Sequence, residues 1–310
     1  MAKTKQVVPT ADDYVFQAHQ ISRASYMMPV MQRRLIYVAM AQSRPDDDEL
    51  MTVEMTVGDI VRALELNDDG KQYEAIREAC RGLRSHVLEL DTPDGWVIFG
   101  WVDKARYIKS RDVLQLRISD ELKPYVHQLQ KAFSVLTIAD IARLQGKYAL
   151  RIFELVMSTR GMAGTGGNKP GQWFYDAQFD ELRTMFRIAP HEYKVTGNFR
   201  NRVIDDPVRE INEADLGIRI ECDYEHFRHG RRLLGVRLKC KLLKDAVRNV
   251  TPATKGEETI ELLKQKHPSQ WEEYLSEERK QPPMFGDAEA WAIKKAESRL
   301  EEFAAKRPKK

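Results

Sequence analysis

Gly197-Asn-Phe-Arg-Asn-Arg-Val-Ile-Asp-Asp-Pro207 is the stretch on which the reading of this chain turns. Phe199, Val203 and Ile211 recur at helical spacing and can face a core. Asn198, Arg200, Asn201 and Arg202 fill the first turns, with no acid before Asp205. A helix that enters the major groove does so with its N-terminal residues against base edges. Arginine is the commonest reader of guanine O6 and N7, and asparagine pairs bidentately with adenine. Pro207 is expected to kink or restart the helix, with Asp206 as cap and Pro207 at the first helical position. Taken alone, the same residues would serve as an ordinary solvated helix face, so the neighbouring segments decide.

Downstream, residues 216–224 and 233–242 read as strands around His226-Phe-Arg-His-Gly-Arg-Arg232. From His226 to Lys244 there are seven Lys and Arg and no acid. A glycine-containing tip bearing Arg228, Arg231 and Arg232 suits phosphate, whose neutralisation releases counterions. Contacts of that kind set register and carry no base information. Upstream, residues 178–188 form a short helix after a strand at 172–175, behind helices at 138–144 and 147–157 and a glycine-rich loop at 161–171. Helix, strand, helix, helix, hairpin is the order of a winged helix-turn-helix.

The order also occurs earlier in the chain. Helical periodicity begins near Tyr14, and Met31, Leu35, Val38 and Ala39 share one helix face, with Arg33 and Arg34 largely outside it. A strand at 51–56, a short helix from Val57 and a helix at 71–85 follow. Two β-rich runs, 87–91 and 96–102, then flank Thr92-Pro-Asp-Gly95, a hairpin signal. At an offset of 122, Asp59 meets Glu181, Ile60 meets Leu182, Leu64 meets Phe186 and Leu66 meets Ile188. We read a duplicated module. In the first copy Arg77, Arg81 and Arg84 recur at i, i+4, i+7 and share a face, opposite Tyr73, Ile76, Cys80 and Leu83. That face is expected to turn three guanidinium groups outward. Trp96, Trp101 and Trp173 lie in strand-like runs and are expected in the core.

Composition bounds the alternatives. The chain has 310 residues, 42% hydrophobic and 31% charged, with a net charge of +3. That length suits about two domains at roughly 100–200 residues each. No apolar run approaches the roughly 20 residues needed to span a bilayer, and the polar start carries no apolar signal region. Cys80, Cys222 and Cys240 are odd in number and lack CxxC spacing, which argues against a disulfide framework and favours a reducing cytoplasm. Enzyme signals are poor. His226 and His229 lack a third ligand at metal spacing, no phosphate-binding P-loop is present, and no His-hydrophobe-His triplet suggests a nicking enzyme. No cofactor, metal or catalytic residue is expected. After Asn249 the last 61 residues hold 12 basic and 12 acidic residues, with a helix expected at 287–305. The expected fold is α+β, two tandem winged-helix domains with a C-terminal helical tail. The expected boundaries are a flexible N-terminus at 1–13, modules at 14–135 and 136–249, and a tail at 250–310.

The order of elements, with Gly146-Lys-Tyr-Ala-Leu-Arg-Ile-Phe-Glu-Leu-Val156, Asn198-Phe-Arg-Asn-Arg-Val-Ile-Asp-Asp-Pro-Val-Arg-Glu-Ile-Asn212 and Glu121-Leu-Lys-Pro-Tyr-Val-His-Gln-Leu129, resembles the plasmid replication initiators of the iteron-binding type, such as those of the F plasmid and pSC101-like plasmids. The resemblance covers about residues 15–245. It implies that the second module reads one half of each repeated origin site, or iteron, in double-stranded plasmid DNA, and that the first contacts the other half. It places Arg200, Asn201 and Arg202 on the base-reading run, with Asn201 where some relatives carry Arg, and Arg231 and Arg232 on the wing. It further implies monomers that start replication, homodimers joined through the first module that repress their own gene, and partnership with a host initiator, helicase and chaperones. No membrane partner is implied. The alternative is a winged-helix transcriptional repressor without a replication role.

Overall fold

The computed structural model describes residues 4–42, 52–92, 94–126, 129, 133–165, 168–243, 268–279 and 296. The chain divides into two compact units, 1–249 and 250–310. In the first unit the elements run β1 (Thr4–Gln6), β2 (Tyr14–Ala18), α1 (His19–Arg23), α2 (Val30–Ala41), β3 (Thr52–Thr56), α3 (Val57–Ala63), α4 (Gly70–Gly82), β4 (Val87–Thr92), β5 (Gly95–Gly100), β6 (Val102–Ile108), β7 (Val113–Ile118) and α5 (Lys123–Val126). They continue with β8 (Phe133–Thr137), α6 (Ile138–Arg143), α7 (Lys147–Met157), β9 (Gln172–Gln178), α8 (Phe179–Met185), α9 (Thr196–Phe199), α10 (Asp206–Glu213), β10 (Ile218–Asp223), β11 (Arg228–His229), β12 (Arg232–Leu233) and β13 (Gly235–Leu242). Described in the second unit are a helix, α11 (Pro268–Arg279), which the sequence reading did not assign, and Ala296. Apart from Ala296, the helix expected at 287–305 lies outside the described residues.

The duplication is visible atom by atom. α3 and α8 are seven residues each and start 122 positions apart. Each is closed by the same turn. Leu64 N–H returns to Ile60 C=O and Leu66 N–H to Val61 C=O, and Phe186 and Ile188 repeat this onto Leu182 and Arg183. Glu65 and Arg187, also 122 apart, both take a left-handed backbone, at φ 49° and 48°. Sheet order extends the match: β9 pairs with β13, which pairs with β10, and β3 pairs with β7, which pairs with β6. The first module's counterpart of the wing is therefore β6–β7. The β4–β5 hairpin, expected in that slot, is an additional two-stranded ribbon inserted between α4 and β6.

Three further expectations are corrected. The segment from Tyr14 forms a strand rather than a helix, with its alternation Tyr14, Phe16 against Val15, Gln17 antiparallel to β8. Thr4–Gln6, within the stretch expected to be flexible, pairs parallel with β3. Arg33 and Arg34 are buried, because α2 is enclosed on nearly every side. Arg34 donates to the carbonyls of Ala142 at 2.5 Å and Leu144 at 3.0 Å. Arg33 Nε donates to Glu154 at 3.0 Å, and its guanidinium lies 4.2–4.7 Å from the ring centroids of Tyr26, Tyr37 and Trp101. Glu154, wholly buried on α7, also accepts from Arg151 at 2.5 Å and from the Tyr26 and Tyr37 hydroxyls. Burial drives this carboxyl upward, but Arg33, Arg151 and the two hydroxyls outweigh it and hold it below its ordinary value.

The network ties α2 to α7 within one continuous apolar cluster. Residues 25 and 26 lie against both modules: Ser25 N–H bonds Glu89 C=O of β4, and Tyr26 N–H bonds Met185 C=O of α8. The molecule thus holds two winged-helix modules on one core, and what distinguishes them is their outer surface.

Candidate nucleic-acid interface

Residues 196–213 form one uninterrupted helix. α9 passes into a π-helical stretch, Arg200–Asp205, and then into α10, with Phe199, Arg200, Asp205 and Asp206 all in right-handed helical geometry. Pro207 does not restart the helix and Asp206 is not its cap. Pro207 has no N–H to return to Val203, and its ring would crowd that carbonyl in an ordinary α-turn. The wider i→i+5 turn ahead of it removes the conflict. Phe199, Val203, Ile204, Val208 and Ile211 are buried, and Phe199 meets Phe179 of α8 at 5.2 Å between ring centroids.

The opposite face is polar. Asn198, Arg200, Asn201, Arg202 and Arg209 are exposed. Arg202 is 72% exposed and only 3.7 Å from Asp206. Arg209, absent from the sequence-based set, stands beside it and pairs with the same Asp206 at 3.1 Å. Arg200 is 46% exposed, and its Nε donates to Asp205 at 2.8 Å. Its guanidinium lies 4.4 Å from the ring centroid of Tyr224, whose hydroxyl donates to the other Asp205 oxygen at 2.5 Å. Tyr224 directly follows β10 at the wing root, so this contact brings helix and wing together.

The wing is a ladder within a ladder. β10 and β13 pair from Ile218↔Leu242 to Asp223↔Arg237, and β11 and β12 continue to a tip at Gly230, φ +60°. Gly235 is required by close approach, since a Cβ there would lie 2.4 Å from the Ala177 carbonyl oxygen. The basic run separates into two groups. Arg237 is bidentate on Asp176 at 2.7 Å, Lys239 pairs with Asp223 at 2.7 Å, and Arg228 with Glu225 at 2.9 Å. Arg231 and Arg232 are exposed and have no ion pair among the described residues. At the tip they are the cations left to meet phosphate; Lys241, farther along β13, is likewise exposed without an ion pair among the described residues.

In the first module the expected outward trio splits. Arg81 is exposed and paired with Glu78, and Arg84 is exposed in the 3-10 turn after α4. Arg77 is only 27% exposed. Its Nε donates to the Tyr107 hydroxyl at 3.1 Å, Nη1 to Glu74 at 3.3 Å and Nη2 to Asp112 at 3.1 Å. It faces the β6–β7 hairpin rather than solvent. That hairpin exposes Lys104, Arg106, Lys109 and Arg111, a set the sequence reading missed, and Arg111 is bound to Glu54 at 2.7 Å.

Among the described residues no cluster of three His, Cys, Asp or Glu side chains could hold a metal, and no helix is long and apolar enough to cross a membrane. Burial pushes the Cys80 and Cys222 thiols up to about 11, away from thiolate chemistry. Trp101 and Trp173 are buried as expected, whereas Trp96 is 69% exposed on β5.

The comparisons agree with this architecture. A curated replication initiation protein of Escherichia coli is 26% identical over 188 residues, 58% of this chain and 57% of that protein's length. The crystal structure of the Pi initiator protein in complex with iteron DNA superimposes with a TM-score of 0.62 at 15% identity, over 76% of this chain and all of that one. The profile for the first winged-helix domain of initiator replication proteins (WH1) matches residues 14–157, and that for the second (WH2) matches 178–240. With both profiles met in order over most of its length, the chain belongs to the initiator replication protein family.

Proposed function

We propose that this protein starts plasmid replication in the cytoplasm by binding repeated origin sites as a monomer, with no covalent chemistry of its own. The second module, 136–249, supplies the main recognition. Asn198, Arg200, Asn201 and Arg202 meet base edges, Arg231 and Arg232 grip the flanking phosphates, and Arg228 joins them only by giving up its pair with Glu225. The first module, 14–135, contacts the adjoining half-site, with Arg81 and Arg84 toward the backbone. The observation that carries this reading is the acid-free first half of the 196–213 helix, residues 196–204, joined to a basic hairpin through Arg200 and Tyr224. The Pi initiator's complex with iteron DNA and the Escherichia coli replication protein support it by kinship.

A homodimer would serve a second role, repression of the protein's own gene, because a twofold dimer matches a palindrome as a two-module monomer matches a direct repeat. In support, β5 is uncharged from Gly95 to Gly100, pairs only with β4 among the described residues, and exposes Trp96 and Ile98. An unprotected apolar edge is a template for another strand. A host initiator, helicase and chaperones would act on the assembled origin.

Gel-shift titration of Arg200→Ala on a duplex carrying direct repeats from beside the gene tests the site. The reading expects a loss of about 1–3 kcal/mol, and unchanged affinity would overturn it. Replication of an origin on a plasmid lacking its own, dependent on the protein, separates initiation from repression alone.

A further inference from the structure

We propose that Asp205 and Tyr224 are positioning residues that fix Arg200 so that its terminal nitrogens meet a guanine edge-on. The proposal rests on the reading of Arg200 as a base reader and adds how that side chain is aimed. With Nε committed to Asp205, the Nη1–Nη2 edge is what remains to meet O6 and N7. The Tyr224 ring supports the guanidinium face at 4.4 Å, and its hydroxyl holds Asp205 from behind at 2.5 Å. Burial, reinforced by the bond to Asp205, pushes that hydroxyl far above its ordinary value of 10.0, so it remains a donor.

The backbone makes the arrangement possible. At 3.6 residues per turn, positions five apart on an α-helix lie roughly 140° from each other. In the π-helical stretch Arg200–Asp205 the i→i+5 relation brings them to one face. Pro207, which calls for that wider turn, thereby places a carboxylate beside an arginine. A half-buried aspartate at a DNA-facing surface repels phosphate, a cost that holding Arg200 in place offsets.

The same three residue types meet in the first module, assembled from other elements. Tyr107 near the end of β6 donates to Asp112 at 2.7 Å, and Arg77 of α4 bonds both. There all three guanidinium nitrogens are engaged, Nη1 by Glu74, so Arg77 latches helix to wing and has no free edge for a base. The second module has the latch with the edge left over.

The test uses the full chain with three kinds of duplex: one repeat, the repeat with each base pair substituted in turn, and a scrambled sequence. Asp205→Ala is expected to weaken repeat binding about tenfold, the scale of one bidentate contact, and to flatten the preference at a single G·C pair. Scrambled-duplex binding should hold or tighten, because a negative charge has been removed. Tyr224→Phe should lose a few-fold with the same pattern, and it carries the comparison if Asp205→Ala does not fold. Equal losses on repeat and scrambled DNA would overturn the proposal, leaving only a structural role. Wild-type base preference in both variants, while Arg200→Ala loses it, would overturn positioning and leave base reading intact. An Arg200→Ala variant with undiminished preference would remove the reading on which the proposal rests.

Discussion

Arg77 and Arg200 stand on equivalent helices, each against a tyrosine at the far end of the first wing strand and each beside an aspartate. Arg77 spends every nitrogen on its own module, whereas Arg200 gives only Nε to a carboxylate and rests its guanidinium against Tyr224. The equivalent hairpins, β6–β7 and β10–β13, both expose basic residues, and the sharper contrast is with the insert. The second wing ends in Arg231 and Arg232, which have no carboxylate partner among the described residues. The inserted β4–β5 hairpin contains Glu89, Asp91 and Asp94 and no basic residue, and it shows Trp96 and Ile98 to solvent. Duplication thus kept the scaffold while the surfaces diverged, one module ending in arginines without carboxylate partners among the described residues and the other gaining an insert that exposes apolar side chains. Because function resides in the site and not the fold, the module that resembles a DNA reader in outline need not read bases.

The largest expected effect concerns the shared core. Glu154→Gln leaves Arg33 and Arg151 buried without their carboxylate, and should cost about 3–5 kcal/mol. Urea unfolding should show one transition displaced as a whole, and two separated transitions would mean the modules fold independently. The sign of the pH dependence follows. A carboxyl held below its ordinary 4.5 stabilises the fold above that value, and the stabilisation is lost as pH falls through the folded-state value. Thermal midpoints of the wild type should therefore fall below pH 4.5 more steeply than those of Glu154→Gln.

Arg202→Ala should cost about 1–3 kcal/mol on the repeat and relax one base position, while Arg77→Ala should leave base preference unchanged. Replacing Arg231 and Arg232 together should lower the salt slope of binding by roughly 1.8, at about 0.9 per phosphate contact, and weaken repeat and scrambled duplexes alike. Ile98→Lys should move the chain toward monomer in sedimentation, with repeat affinity within about twofold, since a charge on an edge strand blocks pairing. Arg81→Ala is the smallest, within about 0.5 kcal/mol on stability, because exposed i,i+3 pairs such as Arg81–Glu78 contribute little.

Much of this was legible in residue order. The positions of α3, α6, α7 and α8 and the strands of the second module follow from periodicity and turn residues, and the 122-residue offset survives down to the left-handed Glu65 and Arg187. The exposed face of the 196–213 helix was legible because its apolar partners recur cleanly. Three things were not. β7 alternates cleanly and reads as a strand, but in β6 Asp103, Lys104 and Arg106 dilute the pattern, so the stronger apolar run of β5 took the wing's place. Arg33 and Arg34 look like surface residues because their partners, Glu154 and the carbonyls of Ala142 and Leu144, lie more than 100 positions away. Arg77 looks outward on a helical wheel, and only the fold brings Tyr107 and Asp112 against it.

Hydrogen exchange of the full chain, with and without a repeat duplex, tests the division of labour most directly. The account predicts new protection at residues 196–206 and 226–233 and none at the 87–100 hairpin. Protection of 87–100, with 226–233 exchanging as in the free protein, would contradict it.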